Sequence, residues 1–374
     1  MFLPTCLRTA FFVLALSLHG MGLCVAADNE ASTAQGREEA RAGDTAPGAT
    51  PHLALLLPLA SPDFSRPAEA LRLGFMAAQK RGGGELAVAI IATDASSEGI
   101  LAGYESAVRL GARLVIGPMT RSGVSALAAS KQASVPTLTL NLPEDKTALP
   151  PQFYAFGLPL EAEAQLVARL AFAEHFKSAI LVSAKSALAQ RSRDAFAQTW
   201  KQLGGTIKTA YEFDPQTDLP ALKETLSTAA VDLIFLAADV EQARAVRPFL
   251  NNNITVFATS QVNSGRSEPV ANVDLNGVRF VEMPWLVLPD HPAVMIYPRA
   301  EGLAPEVERF YALGIDAFRV AAALLQSART LNLDGVTGRL TLFGNLVARE
   351  PVQAVFRNGA GIALDSDAAS EGSR

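Results

Sequence analysis

The chain has 374 residues, of which 49% are hydrophobic, 18% charged and 7% aromatic, with a formal net charge of −5. That length exceeds the ~100–200 residues usual for one domain, so two packed lobes are expected, with enough apolar material for a sizeable core. The acidic balance makes nucleic acid a poor partner, because phosphate binding needs a basic face.

The first long apolar run, residues 10–18, follows Arg8 and precedes Val25-Ala26-Ala27 and Asp28. It is shorter than the ~20 residues that span a bilayer, and small residues at 25 and 27 suit a signal peptidase. Residues 1–27 are therefore expected to be a signal peptide cleaved after Ala27. Both cysteines, Cys6 and Cys24, fall within it, so the mature chain would carry neither thiol nor disulfide. Lipid attachment at Cys24 is the competing reading, against which bulky Leu23 stands where a small residue is wanted; without it no membrane anchor is expected. Residues 28–50 lack apolar periodicity and are expected to form a disordered linker, and residues 365–374 a flexible tail.

From His52 onward short apolar runs alternate with amphipathic stretches, the pattern of a parallel sheet with crossover helices. Residues 53–59 form the first strand. A helix over 67–80 follows, with Leu71, Phe75 and Ala78 at helical spacing, and Gly82-Gly83-Gly84 stops it before a strand at 86–92. The unit repeats as helix 104–110, strand 114–117, helix 122–132 and strand 136–140. Residues 141–159, with Pro143, Pro150, Pro151 and Pro159, interrupt the alternation as an interlobe crossing that holds one apolar piece, 153–156. A second series follows: helix 161–175, strand 179–183, helix 188–203, strand 206–213, helix 219–229, strand 233–237, helix 240–250 and strand 255–258. After a strand at 278–282, five prolines in 283–305 return the chain between lobes. A long helix over 307–331 presents Phe310, Leu313, Ala317, Val320, Ala321 and Leu324 as one apolar stripe. Strands 338–342 and 352–356 close the fold. The expected division is lobe I from 51–157 and 284–335, and lobe II from 158–283 and 336–364.

Signatures of catalysis do not emerge. Beyond the leader the histidines are His52, His175 and His291, far apart and without a His-x-x-x-His pair, so no metal and no cofactor is expected. Arg81-Gly82-Gly83-Gly84-Glu85 lacks the Lys-Ser/Thr of a phosphate-cradling loop, and Thr120-Arg121-Ser122-Gly123 lacks the Gly-x-Ser-x-Gly frame of a nucleophile elbow. Acid pairs such as Glu38-Glu39 and Glu144-Asp145 fall in linker and loop. No catalytic residue is predicted.

Ligands of parallel α/β sheets bind beyond the carboxyl ends of strands, where helix N-termini point their amides. The candidates there are Ser61, Thr120, Arg121, Ser122, Thr139 and Asn141 in the first lobe, and Ser183, Asp239 and Ser260 in the second. A hydroxyl or carboxylate at such a junction has two uses, as an N-cap or as a ligand contact. Arg121, beside a helix start, could grip a ligand carboxylate or form an ion pair across the cleft. Trp285, in Trp285-Leu286-Val287, is a candidate partner-docking anchor, with packing after Pro284 as the alternative.

The alternation, together with Val115-Ile116-Gly117-Pro118 and Val135-Pro136-Thr137-Leu138-Thr139-Leu140-Asn141, resembles a two-lobed type I periplasmic binding protein fold, each lobe a mainly parallel sheet flanked by helices, with several interlobe crossings. Phe257-Ala258-Thr259-Ser260, Leu275-Asn276-Gly277-Val278-Arg279-Phe280, Met283-Pro284-Trp285 and the run from Phe310 through Gly314-Ile315-Asp316 to Phe318 are more telling. With Val336-Thr337-Gly338-Arg339-Leu340 and Phe356-Arg357-Asn358-Gly359, they resemble the LppC/LpoA family over residues 52–364. The resemblance implies a periplasmic, non-enzymatic activator of a class A penicillin-binding protein, the bifunctional peptidoglycan synthase, in a Gram-negative bacterium. The chain departs from the best-known family form in lacking a convincing lipobox and a helical-repeat domain ahead of the binding-protein module. The alternative is a solute receptor whose cleft takes an amino-acid-like or peptidoglycan-derived ligand.

Overall fold

The computed structural model describes residues 52–364 apart from 83, 85, 131, 145, 146, 228, 301, 327 and 329. The expected leader, linker and tail lie outside the described residues.

The run Leu-Ala-Leu-Leu-Leu becomes β1 (Leu53–Leu57), buried at every position because it lies inside a parallel sheet covered on both faces. Then follow α1 (Ser65–Gly82), β2 (Val88–Ala92), α2 (Ser97–Arg109), β3 (Leu114–Ile116), α3 (Arg121–Ala129), β4 (Thr137–Thr139) and β5 (Phe153–Ala155). The second series is α4 (Leu160–Ala173), β6 (Ser178–Ala184), α5 (Ala187–Gln202), β7 (Thr206–Phe213), α6 (Leu219–Ser227), β8 (Leu233–Ala237), α7 (Val240–Val246), β9 (Thr255–Ala258) and β10 (Arg279–Glu282). Short helices α8 (Pro284–Val287) and α9 (Pro292–Met295) lead to α10 (Pro305–Leu325), and the chain ends in β11 (Asn332–Asp334), β12 (Arg339–Phe343), β13 (Leu346–Glu350), β14 (Val352–Arg357) and β15 (Ala360–Ala363).

Two sheets result, ordered β11-β12-β13-β5-β4-β3-β1-β2 and β15-β14-β10-β9-β8-β6-β7. The pairings within β1–β5 and within β6–β10 are parallel, and each antiparallel pair among the described residues involves at least one of the C-terminal strands β11–β15. The doubly flanked α/β class expected from the alternation is therefore found.

Three expectations are corrected. The apolar piece at 153–156 is not part of the crossing but the strand β5, in register with β4 from Thr137↔Phe153. The helix expected to reach residue 331 ends at Leu325. Residues 336–364 do not all join the second sheet: β12 and β13 form a hairpin, and β13 meets β5 at Leu346↔Ala155, so both extend the first sheet. The two-residue turn Gly344-Asn345 enforces this, because the Asn345 side-chain amide donates to the carbonyls of Pro151 and Phe153, each at 2.8 Å. Only β14 and β15 belong to the second sheet, β14 antiparallel to β10.

The first core is organised by α1 against α10, which meet almost backbone to backbone. A Cβ on Gly74 would lie 1.9 Å from the Tyr311 carbonyl oxygen, and one on Gly314 2.0 Å from that of Leu71. Glycine at both positions lets the helices close until Phe75 and Phe318 touch edge to face at 5.3 Å. In the second core Phe196 stacks on Phe235 at 4.1 Å, beside Trp200. Each such buried aromatic contributes about 1.5–3 kcal/mol by removal from water, and together the two cores hold the strand ends that face the cleft.

Candidate functional site

Most side chains predicted to reach a ligand are occupied by the chain itself. Thr120 caps α3, its hydroxyl accepting from the Gly123 amide at 3.2 Å. Thr139 Oγ1 donates to the Asn141 carbonyl at 2.9 Å, and Asn141 Nδ2 donates to the Met119 carbonyl at 3.1 Å. Asp239 forms a capping box with Gln242 at the start of α7. Ser61 is buried, and its carbonyl accepts the Ser65 amide. Ser183 is buried in β6 with a hydroxyl that has no hydrogen-bond partner among the described residues, whereas Ser122 is exposed on the first turn of α3. The N-cap alternative thus describes Thr120 and Asp239.

Arg121 makes the cross-cleft ion pair. Its Nη1 lies 3.2 Å from Glu161 Oε1 at the start of α4, and its Nη2 donates to the carbonyls of Pro143 and Glu144 at 3.1 Å each. Arg191 of α5 shares Glu161 at 2.8 Å. Burial pushes the Glu161 carboxyl upward, but its own amide and the two guanidiniums prevail and hold it below the usual carboxylate range.

Ser260 opens onto a cluster that sequence reading missed. Its amide donates to Glu163 Oε2 at 3.0 Å, and its carbonyl accepts from Arg309 Nη2 at 3.1 Å. Glu163 pairs with Arg349 of β13 at 2.5 Å, both only 5% exposed. Arg309 of α10 pairs with the fully buried Glu282 at the end of β10, which also accepts from Asn263 Nδ2 at 2.8 Å. Burial raises the Glu282 carboxyl against the pull of Arg309. A single sequence carries little signal for such pairs, because Glu163 reads as an ordinary first-turn acid of a helix and Arg349 as an edge-strand charge.

A third buried carboxylate anchors the return to the first sheet. Asp316 of α10 accepts from the Val336 amide at 3.2 Å, the Thr337 amide at 2.8 Å and the Thr337 hydroxyl at 2.7 Å. Arg349 Nη1 donates to the Thr337 carbonyl at 3.0 Å, so this loop and the Glu163 pair are one network.

Glu163 and Arg349 line a groove of about 1320 Å³. One wall is a face of the β12–β13 hairpin, where Arg339, Thr341 and Phe343 stand opposite Glu350, Ala348 and Leu346; the other is formed by Ala162, Gln165, Leu166 and Arg169 of α4. Phe343 is 65% and Leu346 44% exposed, an apolar pair on a face that water would ordinarily favour as polar. A separate pocket of about 500 Å³ joins Asp239 and Ser260 to Arg309 and Phe310.

Trp285 is corrected as a docking anchor. It is 1% exposed, sits after Pro284 in α8, packs against Tyr311 at 5.4 Å, donates to Glu308 at 3.2 Å and lies under Arg299 at 3.9 Å. Among the described residues, no group of three or more His, Cys, Asp or Glu could hold a metal ion, and no helix is long and apolar enough to cross a membrane.

Comparison with known proteins matches residues 48–359 to the family described as LppC putative lipoprotein. Penicillin-binding protein activator LpoA of Haemophilus ducreyi is 29% identical over 323 residues, 83% of this chain and 54% of that protein. The protein of the same name from Photobacterium profundum is 26% identical over 344 residues, 82% of this chain and 56% of that protein. The chain thus spans about half the length of the curated relatives it matches. Among solved structures, a putative branched-chain amino acid ABC transporter from Chromobacterium violaceum is 34% identical with a TM-score of 0.69, covering 81% of this chain and 99% of that one. The LpoA (YraM) C-domain from Haemophilus influenzae, described as a regulator of PBP1A, superposes with a TM-score of 0.70 at 22% identity, covering 83% of this chain and 99% of that one. The two-lobed binding-protein fold and the resemblance read from the motifs agree with these matches. With the family's pattern running from residue 48 to 359, the chain belongs to the LppC family.

Proposed function

We propose that this chain is a non-enzymatic regulator of the bacterial envelope that docks on a class A penicillin-binding protein and activates its peptidoglycan synthesis. The observation that carries the reading is the family match over residues 48–359, with curated relatives named as penicillin-binding protein activators. The cleft supports it, because Thr120, Arg121, Thr139, Asn141 and Asp239 are committed to the chain's own caps, carbonyls and carboxylates. Activation is then differential affinity: the regulator binds the active conformation of the synthase more tightly and shifts its population. Phe343 and Leu346 take over from Trp285 as the docking candidates, since they are apolar and exposed.

The deciding experiment is capture of class A synthases by the purified chain, followed by a glycan polymerisation assay. Stimulated polymer formation is the expected result, and failure to bind any class A synthase refutes the reading. A second reading, a solute receptor, is favoured by the 34% identity to the putative branched-chain amino acid transporter protein. Saturable calorimetric binding of free amino acids would establish it. Periplasmic residence rests on the leader expected at 1–27, and N-terminal analysis of the exported protein checks it: Asp28 indicates a soluble form and a lipidated Cys24 an anchored one.

A further inference from the structure

We propose that the spacing between the two lobes is fixed by the chain's own buried charges, without a ligand in the cleft. Each of two ion pairs takes its cation from the first lobe and its anion from the second. Arg349 projects from β13 to Glu163 on α4, and Arg309 from α10 to Glu282 at the end of β10. Ser260 joins the pairs, giving its amide to Glu163 and its carbonyl to Arg309, while Asn263 donates to Glu282 and its carbonyl also accepts from Arg309 at 2.9 Å. A small molecule that closes two lobes does so by contacting both; here protein side chains make those contacts.

The energetics favour a role in geometry over one in gross stability. Removing two charges from water offsets much of their attraction, so intact pairs add little net free energy. Their hydrogen bonds, however, can all be made at only one lobe separation, because the acceptors are spread over α4, the turn at 260–263 and β10. Breaking one pair on one side leaves an unpaired charge that regains water when the lobes part. The groove inherits the same constraint, since its walls come from β12–β13 of one lobe and α4 of the other. This inference stands apart from the identity of any synthase partner.

The test is a distance distribution between spin labels on the full chain, with Cys6 and Cys24, its only cysteines, changed to Ser. Labels go on S122C in the first lobe and K223C in the second, both exposed positions. The unaltered lock should give one narrow distance that does not move on addition of free amino acids. Glu163→Gln and Arg349→Met should each broaden the distribution or lengthen its mean by more than about 2 Å, and Arg349→Lys should retain more of the original distance than Arg349→Met. If Arg349→Met does not fold by circular dichroism, Glu163→Gln carries the test, since its amide oxygen can still accept from Ser260. A broad distribution in the unaltered chain, closure driven by an amino acid, or folded variants with the original narrow distance would each overturn the proposal.

Discussion

Arg349 Nη2 lies 2.5 Å from Glu163 Oε1, although 186 residues separate them and they belong to different lobes. Removing one member of such a buried pair costs far more than removing both, because the survivor is left charged and dry. Glu163→Gln is expected to lower unfolding stability by about 3 kcal/mol in urea titrations. The double variant E163M/R349M should lose less than either single change; a loss equal to the sum of the two would refute the coupling.

The α1–α10 contact gives a steric prediction. Gly314→Ala would place a methyl group 2.0 Å from the Leu71 carbonyl oxygen, so the helices must move apart and the Phe75–Phe318 contact must loosen. A loss of about 2 kcal/mol or more is expected in thermal or urea unfolding. Gly277, which no described residue crowds, has a φ of +83°, so alanine there tests backbone conformation.

Trp285 and Phe343 should separate folding from docking. Trp285→Ala empties a fully buried site and is expected to cost about 3 kcal/mol. Phe343→Ala should leave stability within about 0.5 kcal/mol and weaken capture of the synthase by about tenfold or more, a ratio worth about 1.4 kcal/mol. Capture unchanged by Phe343→Ala would remove the hairpin from the docking surface.

How much of this is legible in the sequence follows from the range of each contact along the chain. β1, β6, β7, β8 and β9 are runs whose composition and flanking turns announce them, and the cap roles of Thr120 and Asp239 depend on neighbours three residues away. β5 is three residues long among prolines and looks like a loop until β4 supplies its partner. The hairpin's membership of the first sheet depends on Asn345 reaching remote carbonyls at Pro150, Pro151 and Phe153. The Glu163, Glu282, Arg309 and Arg349 cluster is invisible for the same reason: no local pattern distinguishes a charge that will be buried with a remote partner. Trp285 is equally mute, because an aromatic after proline reads alike whether Tyr311 covers it or water does.

The acid limb of stability should carry a signature of Asp232. Its Oδ2 accepts from the amides of Lys177 and Ser178, each at 2.8 Å, which holds the carboxyl below its usual value. A carboxyl depressed in the folded state favours folding fully above its unfolded value of about 3.9, and that contribution disappears as pH falls through the lower folded value. Asp232→Asn should therefore flatten the decline in stability measured below about pH 4. An unchanged acid slope would show that the two amide contacts do not persist in solution.

The clamp on Asn345 has a kinetic corollary. A fingertip whose Asn345 side chain is already tied to the carbonyls of Pro151 and Phe153 meets another surface in one shape, with little rearrangement to slow capture. Cutting that tie with Asn345→Ala should leave Phe343 equally apolar yet make it a worse hook, with the penalty arising from restlessness of the turn before contact instead of from lost touching area.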